Sequence, residues 1–150
     1  MINKINLNQY YFFVFFFLII NCSEGESPEI ISSYEANKEK WENASILDYS
    51  FVLQISCYCT EEYTSPKTVS VRDGSIVTVN DLAYSEEMHW GIFSINDLFK
   101  EIEKASKQNV AVLETTFDSF YGFPTKLYID RDERIADEEM GYTISNFKPL

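Results

Sequence analysis

Glycine and proline are scarce, at 5 and 4 of 150 residues, and 45% of the chain is hydrophobic, which excludes collagen-like and disordered classes and leaves enough apolar side chains for a core. The length suits one domain and is too short for two with independent cores. Basic residues are also few: 12 Lys and Arg face 24 Asp and Glu, a net charge of -12. That charge repels the phosphate backbone, so no nucleic-acid partner is expected. It also opposes docking on anionic lipid, so any membrane association must come from apolar insertion or covalent lipid. One histidine, His89 in Glu86-Glu87-Met88-His89-Trp90, rules out a His-rich metal site and reads as a loop residue without a catalytic role. No serine sits in Gly-x-Ser-x-Gly, and the P-loop and dinucleotide glycine fingerprints are missing, as is a Cys-x-x-Cys. No catalytic constellation, cofactor site or metal site is therefore expected.

No apolar run exceeds the eleven residues Tyr10 to Ile20, preceded by Lys4, the only charged side chain before Glu24. As a helix, such a run rises about 16 Å, roughly half the hydrocarbon thickness, and so reads as a secretory signal rather than a span. Leu18-Ile19-Ile20-Asn21-Cys22 resembles the lipobox of bacterial lipoproteins, although Asn21 departs from the small residue that pattern prefers. The resemblance implies a signal peptide over 1–21 and diacylglycerol on Cys22. Ser23 then favours the outer membrane where the cell has one. Residues 22–28 read as lipidated cysteine and tether, and 29–150 as the folded part.

Within that part a helical pattern runs from Ser27-Pro28 to about Ala44, with Ile31, Tyr34, Lys38, Trp41 and Ser45 on one face. Strict alternation from Tyr49 to Cys59 predicts a strand with its cysteines on the apolar side. Lys67 to Asn80 reads as a hairpin around Asp73-Gly74. A three-residue loop Arg72-Asp73-Gly74 would place Val69, Val71, Val77 and Val79 on one face, with Gly74 left-handed. Ser94 and Asp97 form an approximate capping box ahead of the stripe Ile95, Leu98, Phe99, Ile102 and Ala105, a helix ending near Asn109. Strands are expected at about Val110 to Phe117, Thr125 to Ile129 and Tyr142 to Phe147. The expected fold is α+β: a single small domain, an antiparallel sheet with two helices on one face, in the order αβββαβββ.

Three groups of residues are candidates for a site. If Cys22 carries lipid, Cys57 and Cys59 are the only possible internal disulfide. In a regular strand their Cα atoms would lie about 6.5–7 Å apart, so a bond needs a bend. Buried thiols and a labile redox pair are the alternatives. Asp130, Asp132, Glu133, Asp137, Glu138 and Glu139 form an acidic cluster without EF-hand spacing, interrupted by Arg131 and Arg134, which reads as a solvated charged turn between two strands, with a cation site as the alternative. Asp118 to Pro124 carries Phe120, Tyr121 and Phe123 around Gly122, either a binding surface or a cap on the core.

Trp41, Tyr49-Ser50-Phe51, Ser56-Cys57-Tyr58-Cys59, Val71-Arg72-Asp73-Gly74, Asp118 with Tyr121-Gly122-Phe123-Pro124, and Gly141-Tyr142-Thr143 with Asn146-Phe147 together resemble one family of uncharacterised bacterial lipoproteins, a domain of unknown function. The resemblance implies an extracytoplasmic location, usually a lipid anchor, and paired cysteines at Cys57 and Cys59 bonded in the envelope. It carries no activity. The resulting expectation is a non-enzymatic lipoprotein of the cell envelope, held to the membrane by its N-terminal lipid, that binds a protein or envelope component. A thiol-disulfide protein using Cys57 and Cys59, or a cation-binding lipoprotein, are the alternatives.

Overall fold

The computed structural model describes residues 28–150. The expected leader and Cys22 lie outside the described residues. Helix α1 (Pro28–Ala44) begins at a proline, whose fixed φ suits a first turn, and stops at Ser45 in a left-handed conformation (φ 51°). Tyr34 and Trp41, seven residues apart and so on one face, are its buried side chains among those described. The order continues with β1 (Tyr49–Ser56), α2 (Glu61–Thr64), β2 (Lys67–Arg72), β3 (Ser75–Val79), β4 (Leu82–Ala83), α3 (Ile95–Gln108), β5 (Val112–Phe117), β6 (Pro124–Asp130) and β7 (Met140–Pro149).

All seven strands form one antiparallel sheet in the order β4-β3-β2-β1-β7-β6-β5. At its centre β1 pairs with β2 (Phe51 opposite Val69) and with β7 (Leu53 opposite Ile144). The alternation of β1 puts Tyr49, Phe51, Leu53 and Ile55 into the core, and Gln54 and Ser56 into solvent. In β7 the same alternation buries Tyr142 and Ile144 and would next bury Asn146. A bulge intervenes, with Asn146 at φ 52°, and turns Phe147 to the apolar side against Trp41, Tyr49 and Phe123. The stripe of α3 from Ile95 to Ala105 completes the core. Its start carries a full capping box between Ser94 and Asp97, and its end a left-handed Asn109.

These observations correct the expected fold class. A seven-stranded antiparallel sheet dominates, with an extra helical turn (α2) and an extra short strand (β4), so the order αβββαβββ does not hold. Both additions are too short to carry a hydrophobic period, at four and two residues. The first strand ends at Ser56 rather than Cys59, because the chain bends there.

The hairpin loop is corrected as well. Arg72 pairs with Ser75, leaving the two-residue turn Asp73-Gly74, both with positive φ (47° and 73°) as a type I′ turn requires. Val77 is the unpaired bulge residue and is 41% exposed; the shift it introduces lets Val79 join Val69 in the core.

Burial of two phenols makes the fold sensitive to alkali. The Tyr49 hydroxyl accepts a hydrogen bond from the Ile95 amide (3.3 Å), and burial pushes its pKa up to about 12. Burial raises Tyr142 too. The unfolded chain releases these protons near pH 10 and the folded chain holds them, so unfolding is favoured as pH rises. Stability should be full below about pH 10 and fall toward about pH 12. Urea titrations of the wild type and Tyr49→Phe at about pH 8 and about pH 11 should show a smaller loss in the variant; equal losses would reject the assignment.

Candidate functional site

Beyond Ser56 the chain turns sharply, and Cys57 and Cys59 come to 5.2 Å between Cα atoms in a disulfide. That separation is shorter than an i, i+2 pair in a strand spans, which is why β1 ends before the first cysteine. Cys57 packs against the core edge, whereas Cys59 and Tyr58 are exposed. The hook leads directly into α2. There Lys67 Nζ donates to the carbonyls of Glu62, Tyr63 and Ser65 at 2.9, 2.7 and 2.9 Å. Three donors on the carbonyls that end a helix use the ammonium fully, and burial lowers its pKa.

Tyr63 of α2 supports the loop between β4 and α3. Its ring lies 5.7 Å from that of Trp90, and its buried hydroxyl has no hydrogen-bond partner among the described residues. Gly91, at φ +75°, passes so close to this hydroxyl that a side chain there would run into it. The loop is bonded internally: the His89 amide donates to the Ser85 carbonyl (2.9 Å), the Met88 amide to Ser85 Oγ (3.3 Å), and the Ile92 amide to the His89 carbonyl (3.1 Å). His89 stacks on Tyr84 and meets the Ser85 backbone through Nδ1, a structural position. On this frame Trp90 is 71% exposed and Met88 70%. Large apolar side chains held in place at the surface are the usual anchors of protein interfaces.

The sequence-derived aromatic loop is divided. Phe123 is 4% exposed, inside the core against Trp41 and Phe147; Tyr121 is half-buried on Phe147; only Phe120 projects, at 76%. Asp118 caps the loop by accepting from the Phe120 and Tyr121 amides (3.0 and 2.6 Å), and Lys40 Nζ ties it to α1 through the Ser119 carbonyl (3.1 Å). The loop therefore docks onto α1 and closes the core.

The acidic stretch is occupied by its own chain. Glu138 accepts from the amides of Arg131 and Asp132 (2.7 and 2.6 Å), and Asp132 pairs with Arg134 (2.6 Å). Among the described residues no group of His, Cys, Asp and Glu is arranged to hold a metal ion. On the solvent face of the sheet, an open cavity of about 750 Å³ crosses β5, β6 and β7 from Ser33 to Ser56. Glu114, Tyr128, Gly141 and Ser56 form one row across it, and Thr116, Lys126 and Thr143 the next. Its hydroxyl-rich lining offers hydrogen bonds to a polar solute.

Sequence reasoning offered Phe120, Tyr121 and Phe123 as either a binding surface or a cap on the core; the structure makes Phe123 a cap and leaves Phe120 exposed, and the exposed Trp90 was not singled out. The available signal was a tryptophan in a short charged connection, where no period assigns it to a core. No curated protein and no solved structure matches the chain. One family does, over residues 33–149, from α1 to the end of β7. The chain belongs to DUF6174, a family of unknown function.

Proposed function

We propose that this protein is a lipid-anchored, extracytoplasmic binding module of the bacterial cell envelope, with Cys22 carrying the lipid and the Trp90 surface engaging another protein. The observation that carries the binding role is Trp90, exposed on a loop that is internally hydrogen-bonded and braced by Tyr63. A side chain ordered before contact loses little entropy on binding, which favours an interface over a merely tolerated surface residue. The Cys57–Cys59 disulfide supports an oxidising compartment, and the apolar leader ending at Cys22 supports export and lipidation. A second reading, thiol-disulfide exchange, rests on the exposure of Cys59.

The full chain expressed in a bacterial host with labelled palmitate tests the anchor. The wild type should take up label and sediment with membranes, while Cys22→Ser should lose the label. Equal labelling would reject Cys22 as the anchor. Alkylation of the same material without reduction should leave Cys57 and Cys59 unmodified. Two alkylated thiols would remove the support for an oxidising compartment. A benzophenone side chain in place of Met88 should crosslink a protein in intact cells, whereas one in place of Glu39 on α1 should not. No adduct from residue 88 would reject the binding role.

A further inference from the structure

The charges around Trp90 identify the chemistry of its partner. Glu61 and Glu62 open the helical turn whose Tyr63 carries the Trp90 ring, and Glu86 and Glu87 lie in the turn closed between Ser85 and His89. All four are exposed. None of the four forms an ion pair among the described residues; Lys67, whose ammonium bonds the carbonyls of Glu62, Tyr63 and Ser65, attracts Glu62 but leaves Glu61, Glu86 and Glu87 without a cation. Two large exposed apolar side chains thus stand on segments that carry four exposed carboxylates and an excess of negative charge. In interfaces built this way the apolar centre supplies most of the affinity, and the rim selects by charge and speeds encounter. Like charges on a partner would be repelled, and the chain's net charge of -12 opposes a second copy of itself in this role.

We propose that Trp90 and Met88, rimmed by Glu61, Glu62, Glu86 and Glu87, dock a protein segment that carries Lys or Arg on either side of an aliphatic or aromatic side chain. This rests on the binding role proposed above and specifies its partner. A bilayer is the competing occupant of an exposed tryptophan, but the four carboxylates disfavour an anionic lipid surface.

The test uses the full chain and three short synthetic peptides: one alternating lysine with leucine and phenylalanine, one with glutamate for lysine, and one with serine for the apolar residues. Trp41 is buried, so emission from Trp90 reports contact directly. The cationic apolar peptide should shift Trp90 emission to shorter wavelength and bind at least about tenfold more tightly than either other peptide. Affinity should fall between about 50 and about 500 mM salt. Trp90→Ala should weaken binding at least about tenfold with an unchanged melting temperature, since the ring is exposed. Replacing the four rim residues, Glu61→Gln, Glu62→Gln, Glu86→Gln and Glu87→Gln, should remove the preference for lysine over glutamate.

Trp90-dependent binding of both apolar peptides alike would overturn the basic partner and leave the binding role intact. Binding of the lysine peptide unchanged in Trp90→Ala would overturn the site. A blue shift with phosphatidylethanolamine–phosphatidylglycerol vesicles but none with any peptide would replace the protein partner by the bilayer. No response to any probe, together with no crosslink from residue 88, would remove both the partner and the binding role.

Discussion

Replacing Trp41 with alanine should destabilise the fold by about 3–5 kcal/mol, the largest effect expected of any single substitution considered. Its indole meets the rings of Tyr49, Phe123 and Phe147 at centroid distances of 5.5, 6.1 and 5.9 Å, and Nε1 donates to Asn96 Oδ1 at 2.8 Å. One side chain thus connects α1, β1, the end of the 118–123 loop, β7 and the first turn of α3. Truncation leaves a cavity between Tyr49 and Phe147, fixed by the sheet, and Phe123, held by the loop docked on α1, so the site collapses only in part. Domains of this size are commonly stable by about 5–15 kcal/mol, so Trp41→Ala should remove a large share of the stability. Trp41→Phe should keep most of the ring contact and cost about 1–2 kcal/mol through the lost donor and the smaller ring. Urea unfolding followed by circular dichroism separates the two, as a lower midpoint with an unchanged slope. A midpoint for Trp41→Ala within error of wild type would reject this account of the core.

Gly122→Ala should cost about 3 kcal/mol, from left-handed backbone strain and overpacking together. Gly122 sits at φ +82°, and a methyl there would strike the carbonyl oxygen of Asn37 on α1 and meet Lys40 Cβ at 3.0 Å. Neither obstacle yields easily, because one is helix backbone and the other the root of a side chain. Gly74 is the internal control: at φ +73°, with nothing within 4 Å of the added carbon, it suffers only the backbone strain, about 1–2 kcal/mol for alanine. The difference between the two variants measures the contact between loop and helix. Equal losses would mean that α1 moves aside at no cost.

Much of the core was legible because its elements carry an uninterrupted period. The alternation from Tyr49 to Ile55 and the stripe from Ile95 to Ala105 each state which face is buried, and the pair Ser94 and Asp97 marks where the helix begins. Legibility fails wherever the period is interrupted. The bulges at Val77 and near Asn146 each reverse the side on which later residues point, and only the partner strand reveals them. Alternation carried through Cys57 and Cys59 was misleading because a two-residue disulfide loop needs the chain to leave the strand. The aromatic loop was legible only as a pair of alternatives. Phe120 and Phe123 are the same residue type three positions apart, and what separates them is the turn made by Asp118 and Gly122 onto α1, a tertiary contact. The exposure of Trp90 is likewise set by Tyr63 and Gly91 beneath it rather than by its neighbours in sequence.

The central strand pair, β1 with β7, joins residues 49–56 to residues 140–149. Two hairpin systems, one on each side, have no direct strand pairing to each other without it. During synthesis the seam of the sheet is therefore the last part to become available, and the earlier strands wait with Phe51, Leu53 and Ile55 lacking one neighbour. Closing so long a loop is slow compared with forming either hairpin. A chain built in this order cannot complete its sheet until its final strand is in place, so its two halves must each tolerate an unpaired edge until then.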